Sequence, residues 1–395
     1  MKIMSTRLAR LTSTRNLKMA RSAHAYVRGS TLKFYEWLDD SDARLPHGPA
    51  VWICGDCHVG NLGPLADAKG RVAVQIRDLD QTVIGNPAHD LIRLALSLGS
   101  AARGSDLPGV TTAQMLEQMI AGYTSALAAN FDNDSDPSHR PKRIQELLGR
   151  AIRRRWRHLA KERLEDVEPT IPLGKRFWAL SARELEALRG MFKSDCVQKL
   201  IRGLQQRTES DKIALVDAAY WVKGCSSLGR LRYAALLRLK SGNDASFCLV
   251  DVKEGAPAAA PRAKKQRMPR DNAVRVVTGS RALSPNLGER MVAARLLDRS
   301  VVVRELMPQD LKLEVDRLSR EEAMHVARYL AGVVGHAHGR QMDKTARSEW
   351  RGALTTRSKS SLEAPSWLWS SVVELISLHE AAYLEHCRRY ALAAA

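Results

Sequence analysis

The stretch Val51–Gly63, VWICGDCHVGNLG, joins an apolar strand-like run to a loop that is rich in reactive side chains. Cys54, Cys57 and His58 spell C-x-x-C-H, the pattern of haem attachment. The two cysteines alone would suit a redox pair or half of a zinc site. Residues 55–61 also spell G-D-x-H-x-G-N, which is typical of a phosphotransferase catalytic loop.

The remaining sequence separates these interpretations. Haem attachment needs export, and the basic segment 1–29 lacks the continuous apolar stretch of a secretory signal. A zinc site needs further ligands, and the candidates, His336 and His338, lie far along the chain. A redox pair favours a helix amino terminus at the cysteines, whereas Cys57 is followed by a loop pattern. The phosphotransferase interpretation makes the stronger predictions downstream.

Composition and charge set the broad class. Six scattered cysteines among 395 residues do not form a disulfide framework. The net charge of +19 favours an anionic partner, which could be nucleic acid, an acidic membrane surface or phosphorylated ligands. Much of this charge lies in segment 141–163, which has helical spacing and is either a solvated helix face or a nucleic-acid-binding surface. No apolar run of about 18 residues indicates a membrane span, so a cytoplasmic protein is expected.

Phosphoryl transfer depends on positioning and on neutralising charge, so it requires a recognisable set of polar residues. One carboxylate orients the attacking hydroxyl, while an amide and further carboxylates hold magnesium, which prefers oxygen ligands. Asp56 and Asn61 have the D-x-x-x-x-N separation of such a loop. A strand pair should follow, and the alternating run 71–76 leads to Asp78 and Asp80. We expect Asp56 to act as the catalytic base. The expected metal ligands are Asn61, Asp78 and Asp80.

The chain continues with the pair N-P at 86–87, a helix-start signal, and then with an amphipathic helix. Residues 55–98 resemble the catalytic half of the aminoglycoside phosphotransferases and related small-molecule kinases. Those enzymes carry G-D-x-H-x-x-N, then I-D-W, then G-D-P-x-x-D-L. The resemblance implies that Asp78 is the metal-binding acid and that Asp90 supports the catalytic loop from the following helix. His58 is expected to support the same loop by hydrogen bonds.

No nucleotide-binding lobe fits before the catalytic loop, because only about 50 residues precede it and they have helical patterns. Further along, residues 213–254 predict a three-stranded meander whose first turn has the form G-x-x-S-x-G. Backbone N–H groups of such a turn can hold phosphates. Lys253 ends the third strand, where V-A-I-K of kinases places its phosphate-pairing lysine. A strand pair at 290–294 and 301–306 then leads to a segment that resembles an adenine-reading hinge. The expected ATP-binding residues are Gly224, Ser226, Ser227, Gly229, Lys253, Glu305 and Met307.

These patterns predict a mixed α+β protein with the two lobes of a protein-kinase-like fold. Residues 1–205 would form a mostly helical large lobe with the catalytic and metal loops. Residues 206–312 would form a β-rich nucleotide-binding lobe, and helices in 313–395 would return to the large lobe. Because the catalytic loop precedes the nucleotide lobe, we interpret the fold as circularly permuted, which is permissible where chain termini lie close together at a surface.

The same order of motifs closely resembles the bacterial domain-of-unknown-function family 2252. The matching stretches are KMARSAHAYVRGS (18–30), VWICGDCHVGNLG, QIRDLDQTVIGNPAHDLIRLALSL, VKGCSSLGRLRYAALL, LVDVKEG, VVVRELMPQDLKL and VVGHAHGRQMD. The resemblance implies the fold and a nucleotide site but assigns no reaction. Two departures bear on catalytic competence. Thr278 stands where the family has a Glu that would pair with Lys253, and Lys223 and Cys225 occupy variable places of the glycine-rich turn.

The sequence therefore predicts an ATP- and Mg²⁺-dependent phosphotransferase that acts on an unknown hydroxyl acceptor, with the net charge favouring an anionic one. Three alternatives stay open. The chain could be a nucleotide-binding pseudokinase, an AMP-transferring enzyme, or a basic nucleic-acid-binding protein that uses segment 141–163. In the last case the affinity should fall steeply with salt.

Overall fold

The chain folds into a mixed α+β structure, with 53% helix and 18% strand, as the sequence predicts. The computed structural model describes residues 2–41, 44–129, 140–164, 170–205, 207–208, 210–223, 228–242, 244–313, 318–355 and 364–390. The helices are α1 (Lys2–Met19), α2 (Ala23–Gly29), α3 (Thr31–Ser41), α4 (Pro87–Arg103), α5 (Gly109–Ala128), α6 (Lys142–Ile152), α7 (Trp156–Arg163), α8 (Ala182–Phe192), α9 (Asp195–Arg202), α10 (Asn272–Leu283), α11 (Pro285–Gly288), α12 (Arg320–Gly339), α13 (Lys344–Thr355) and α14 (Ser366–Tyr390). The strands are β1 (Val51–Ile53), β2 (Leu62–Ala66), β3 (Val72–Ile76), β4 (Val83–Gly85), β5 (Phe177–Trp178), β6 (Lys212–Trp221), β7 (Arg232–Ser241), β8 (Asp244–Glu254), β9 (Met291–Leu296) and β10 (Arg299–Glu305).

The largest sheet has six antiparallel strands in the order β5-β6-β7-β8-β10-β9. The predicted meander is confirmed as β6, β7 and β8. Residues 233–237 of strand β7 are all apolar and buried because both faces of the strand are covered there. Tyr233, Ala235 and Leu237 belong to one hydrophobic cluster, and Ala234 and Leu236 to another on the opposite face.

Two short hairpins carry the candidate catalytic segments. Strand β1 pairs with β4, and β2 pairs with β3 with Leu62 opposite Ile76. The predicted turn between β2 and β3 is present, and Asp67 closes it by accepting the N–H groups of Lys69 and Arg71 at 2.8 and 2.9 Å. The acid-rich loops therefore begin and end at fixed places in hairpins rather than in long connections.

The largest hydrophobic cluster joins these hairpins to helices α3, α4, α5, α12 and α14. Asn86 accepts the N–H of Ala88 at the start of α4, as the N-P signal predicts. Helices α5 and α12 pack so closely that a Cβ built on Gly122 would overlap the carbonyl of Arg328. Glycine at this position therefore permits the approach of two backbones.

Two predicted helices are each divided in two. The segment 16–28, whose pattern predicts one helix, contains the end of α1 and most of α2, because Ser22 caps a new helix by accepting the N–H of Ala25. The basic segment 141–163 forms α6 and α7, separated at Arg153–Arg155. Helix α6 buries Ile144, Leu147 and Leu148 of its predicted apolar face, whereas Ile152 at its end is exposed, contrary to the prediction.

The division of the chain at residue 205 stays a prediction. The six-stranded sheet recruits earlier segments into its layer, since β5 is its edge strand and Phe192 of α8 and Ile201 of α9 belong to its cluster. Leu11 of α1 joins the same cluster, while Asn16 accepts a hydrogen bond from His386 of α14. Helix α1 therefore contacts both the sheet layer and the carboxyl-terminal helix. In the described part of the chain, each helix is too short or too polar to cross a bilayer.

The contact at Gly122 predicts a stability difference between two Gly→Ala variants. Gly122→Ala should lower the free energy of unfolding by about 1–3 kcal/mol, because the added methyl group forces α5 and α12 apart. Gly190→Ala in α8 meets open space, so it should be neutral or should raise stability by up to about 1 kcal/mol. Urea unfolding followed by circular dichroism measures both, and equal effects would contradict this account.

Candidate active site

The β2–β3 hairpin places Asn61 beside Asp78. The pairing of Leu62 with Ile76 puts the residues just outside the hairpin, Asn61 and Arg77, opposite each other, and the Arg77 N–H donates to the Asn61 carbonyl at 2.7 Å. The Asn61 amide group donates to the Asp56 carbonyl at 3.0 Å. The hairpin thus brings together the chain at Asn61 and at Asp78, which are 17 residues apart in the sequence.

Asp90 of α4 holds the loop that carries Asp56 in place through hydrogen bonds to its backbone. The two carboxylate oxygens of Asp90 accept the N–H groups of Cys54 at 2.7 Å and Gly55 at 2.9 Å. Gly55 has a φ of 75°, a conformation that glycine adopts without steric cost, and a Cβ there would overlap the carbonyl of Gln81. Asp90 is fully buried, so its charge makes strong, charge-assisted hydrogen bonds to the loop.

A chain of buried polar groups extends from Asp90 through three further helices. His338 of α12 lies 3.1 Å from the Asp90 carboxylate through Nε2 and 2.8 Å from the Tyr123 hydroxyl through Nδ1. Trp350 of α13 donates its indole N–H to the same hydroxyl at 3.2 Å. The sequence analysis named His338 only as a distant candidate zinc ligand. Its partner Asp90 lies 248 residues earlier, and no local spacing connects the two.

Asp56 lies in a second buried network. Its carboxylate accepts from Arg93 Nε at 2.9 Å and from the Thr31 hydroxyl at 3.1 Å, and the Arg93 side chain is fully buried. Burial and the charge of Asp78 raise the pKa of Asp56, whereas the ion pair with Arg93 lowers it. The net pKa of Asp56 lies above its usual value. A carboxylate has about four lone-pair sites, so two remain for an acceptor hydroxyl.

Lys253 meets the acid loop across the cleft. Its Nζ lies 3.4 Å from Asp78 Oδ1 and also contacts the Asp80 carboxylate. Burial raises the pKa of Asp78, but Lys253 and Arg304 more than offset this, so the pKa lies well below its usual range. The pKa of Asp80 is raised by burial and by the neighbouring charge of Asp78, against the opposing effect of Lys253. Segments 175 residues apart thus meet in one charged contact.

Two arginines stabilise the acid on the strand of Lys253. Asp251 is buried and accepts from Arg232 at 2.9 and 2.5 Å and from Arg304 at 3.4 Å. Burial raises the pKa of Asp251, but the charges of the two arginines lower it by more than burial raises it. The net pKa therefore lies well below its usual value. The enclosed cleft has a volume of about 340 Å³, including space open to solvent. The residues that line it are Arg77, Asp78, Leu79, Asp80, Asp251, Lys253, Val276, Leu287, Met291, Val302 and Arg304.

The remaining predicted nucleotide residues are placed differently. Gly224, Ser226 and Ser227 lie outside the described residues. Gly229 has a φ of 102° and lies against Leu8 of α1.

The predicted hinge is buried. Glu305 forms an ion pair with Arg207, with Nη2 and Oε1 2.8 Å apart, and its carbonyl accepts from Arg290 at 3.2 Å. Met307 is also buried, and the Gln205 amide lies 2.9 Å from its sulfur. The side chains of Glu305 and Met307 therefore pack inside the protein and are not among the cleft-lining residues. Their predicted role in reading adenine through the backbone stays a prediction.

Helix α10 forms one wall of the cleft through Val276. Thr278 uses its hydroxyl within the helix, donating to the carbonyl of Val274 at 2.8 Å. Arg275 instead supports the acid loop, donating to the carbonyls of Asp80 at 3.0 Å and of Thr82. This helix thus positions the acid loop through an arginine that the sequence analysis missed.

The cysteines of the opening motif are buried. Within the described residues, Cys54, Cys57 and Asp90 form one group whose possible ligand atoms lie within 4.8 Å of one another. Asp90 is already bound by two N–H groups and His338. Burial and a hydrogen bond with Cys57 raise the pKa of Cys54 well above its usual value, so this thiol is protonated at neutral pH. This state favours neither metal ligation nor nucleophilic attack.

The open side of the cleft suits a hard cation better than the group of Cys54, Cys57 and Asp90 does. The Asp78 and Asp80 carboxylates and the Asn61 amide are oxygen donors of the type that Mg²⁺ prefers. The Asp78 side chain is 49% exposed, so one face of the acid pair is accessible. In the structure Lys253 provides the positive charge opposite these acids. The donor set is therefore of the type that would hold magnesium, and the roles of Asn61, Asp78 and Asp80 as metal ligands stay a prediction.

Fold and cleft define a mixed α+β protein in which an acid loop faces a strand lysine. The chain belongs to the family described as "Uncharacterized protein conserved in bacteria (DUF2252)", whose model matches residues 7–389. No curated protein and no solved structure matches the chain. The predicted family membership is thus confirmed over nearly the whole chain.

The buried chain from Asp90 to Trp350 predicts a large effect of one hydroxyl. Tyr123→Phe should lower the free energy of unfolding by about 1–3 kcal/mol, because His338 and Trp350 both lose a partner in a dry core. Tyr383→Phe removes a half-buried hydroxyl bonded to the Ala20 carbonyl, and should cost less than about 1 kcal/mol. If urea titrations show similar losses of unfolding free energy in the two variants, the buried network does not stabilise the fold more than an ordinary hydrogen bond does.

Thiol reactivity tests the assignment of the opening motif. At pH 8, iodoacetamide should modify the exposed Cys196 rapidly and should leave Cys54 and Cys57 unmodified until urea unfolds the chain. Peptide mass spectrometry after timed quenching measures each site separately. Modification of Cys54 in the folded protein as fast as that of Cys196 would be inconsistent with a buried, protonated thiol.

Proposed function

We propose that the protein is an ATP- and Mg²⁺-dependent phosphotransferase that acts on a hydroxyl acceptor. The observation that carries this proposal is the approach of Lys253 Nζ to Asp78 at 3.4 Å and to Asp80, in a cleft between the sheet and the catalytic loop. A metal-bound triphosphate would replace this direct contact, with the lysine on phosphate oxygens and the acids on the cation. Bound magnesium would neutralise charge on the phosphates.

Each predicted residue then has a distinct task. Asp56 accepts the proton of the acceptor hydroxyl, and its raised pKa makes it a better proton acceptor than an ordinary carboxylate. Arg93 and Thr31 hold Asp56 in one orientation. Asn61, Asp78 and Asp80 hold magnesium, and Lys253 pairs with phosphates. Asp90 and His58 support the loop from the core, where both are buried.

The proposal includes a kinase-like two-lobe architecture with circular permutation. The supporting features are an antiparallel sheet that carries a lysine, hairpins that carry acids, and their order along the chain. An enzyme that consumes ATP would work in the cytoplasm. Of the glycine-rich turn, the structure describes Gly229, whose φ of 102° suits a tight turn.

Calorimetry with ATP and magnesium tests the cleft. Asp78→Asn should weaken magnesium-dependent ATP binding at least about tenfold, which corresponds to about 1.4 kcal/mol, because a charged metal ligand is lost. Asp195→Asn on exposed α9 is the matched control and should leave binding unchanged. Absence of ATP binding by the wild type, or equal affinities in the two variants, would refute the proposal.

A second assay identifies the reaction. The protein is incubated with a metabolite extract and with ATP labelled at either the γ or the α phosphate. Phosphotransfer moves only the γ label to an acceptor, whereas AMP transfer moves the α label. Asp56→Asn should abolish transfer while keeping ATP affinity within about threefold, once unfolding measurements establish that it is folded despite losing the Arg93 ion pair. Binding without transfer of either label would favour the pseudokinase alternative.

A further inference from the structure

Four cations gather on the catalytic-loop side of the cleft, and the tasks assigned above do not use them. We call them the basic cluster, and they are Arg28 of α2, Arg77 after β3, Arg163 at the end of α7, and Lys312 after β10. They come from four separate elements. Their convergence therefore depends on the tertiary fold and is not a run of charge in the sequence.

Two glycines of the catalytic turn show where the basic cluster lies. A Cβ built on Gly60 would be 2.9 Å from Arg28 Cζ, so the guanidinium lies against the turn. A Cβ on Gly63 would be 3.0 Å from Arg77 Cδ and 2.7 Å from the Leu311 carbonyl, next to Lys312. The turn between these glycines carries Asn61. The basic cluster thus lies beside the expected metal ligands.

The four cations of the basic cluster form no close ion pair among the described residues, although the charges of Asp310 and Asp78 act on Arg77 and those of Glu162 and Asp251 act on Arg163. The Nε atoms of Arg28, Arg77 and Arg163 are buried and have no hydrogen-bond acceptor among the described residues. The Arg77 guanidinium donates one hydrogen bond, to the Asp310 carbonyl at 3.3 Å. Buried donors without acceptors are costly in free energy, and several such donors at one place indicate a site shaped for a ligand that accepts.

Repulsion within the basic cluster points to the same ligand chemistry. Partial burial lowers the pKa of Lys312, and the charges of Arg28, Arg77 and Arg163 lower it further. Asp78 acts on Lys312 in the opposite direction, but magnesium would occupy that acid. An oxyanion placed among these side chains would offset the repulsion through charge-assisted hydrogen bonds from their guanidinium and ammonium groups.

We propose that the basic cluster binds an anionic group of the acceptor, a phosphate or a carboxylate, while the acceptor hydroxyl faces Asp56. This inference rests on the proposed function, and it specifies the substrate class as hydroxyl compounds that carry an oxyanion. The nucleotide's own phosphates belong with Lys253, and of the four cations only Arg77 is among the residues that line that cleft. The acceptor anion and the nucleotide should therefore bind at the same time.

Calorimetric titration with inorganic phosphate, and separately with malonate, tests the site without knowledge of the acceptor. The wild type should bind at least one of these anions, and the one it prefers identifies the group as phosphate or carboxylate. Arg28→Gln combined with Lys312→Gln should weaken that binding at least about tenfold, because charge-assisted hydrogen bonds are lost. Lys312→Gln alone removes an exposed side chain, so it provides a variant that folds if the double variant does not.

The matched control is Arg157→Gln combined with Lys161→Gln on exposed α7, which removes the same charge and should change anion affinity less than twofold. Repeating the titration with magnesium and a non-hydrolysable ATP analogue should leave anion binding intact. No anion binding, equal losses in control and test variants, or displacement by the analogue would each overturn the inference. Failure of the proposed function gives a different result, namely no binding of the ATP analogue while the anion still binds.

Discussion

The carboxylate of Asp90 is the contact on which the arrangement of the site depends. It is fully buried and accepts the N–H groups of Cys54 and Gly55, the two residues before Asp56. His338 links the same carboxylate to the Tyr123 hydroxyl, which also accepts the indole N–H of Trp350. A buried charge is stable only where its hydrogen bonds are satisfied, so the loop and four helices must adopt one relative position together. The orientation of Asp56 is therefore a property of the whole helical layer.

Local spacing explains which parts of the site the sequence could predict. Asp56 and Asn61 lie in one loop, and a hairpin of fixed register brings Asp78 to them. The relative positions of these three residues therefore follow from the short sequence motif that contains them. The meander that ends in Lys253 has a clear alternating pattern, and it forms as predicted. What the sequence could not provide is the identity of distant partners. Arg93 on α4 and His338 on α12 look like ordinary helix residues until the tertiary fold brings them to buried carboxylates.

The helical segments show a similar limit. Periodicity predicted an apolar face over 141–163, and Ile144 is buried as expected, but the break between α6 and α7 was missed because the arginines around it have no helix-stopping character. The predicted hinge at Glu305 reads as a strand end followed by Pro308, and the sequence has no means of indicating that Arg207 neutralises its carboxylate inside the protein. Backbone pattern was predictable, whereas pairing of buried charges was not.

The charge distribution of the cleft connects these observations to function. Asp251, Asp78 and Asp80 face Arg232, Arg304 and Lys253. These cations hold the pKa of Asp251 and Asp78 below its usual value, whereas burial and the charge of Asp78 raise the pKa of Asp80. A protein needs no such concentration of paired charges for stability, because desolvation offsets most of what a buried pair contributes. The lysine and the acid pair also belong to different layers, so a ligand that inserts between them exchanges one set of ionic contacts for another without exposing apolar surface. This exchange is the physical reason to expect a charged, metal-bound ligand in the cleft rather than a neutral one.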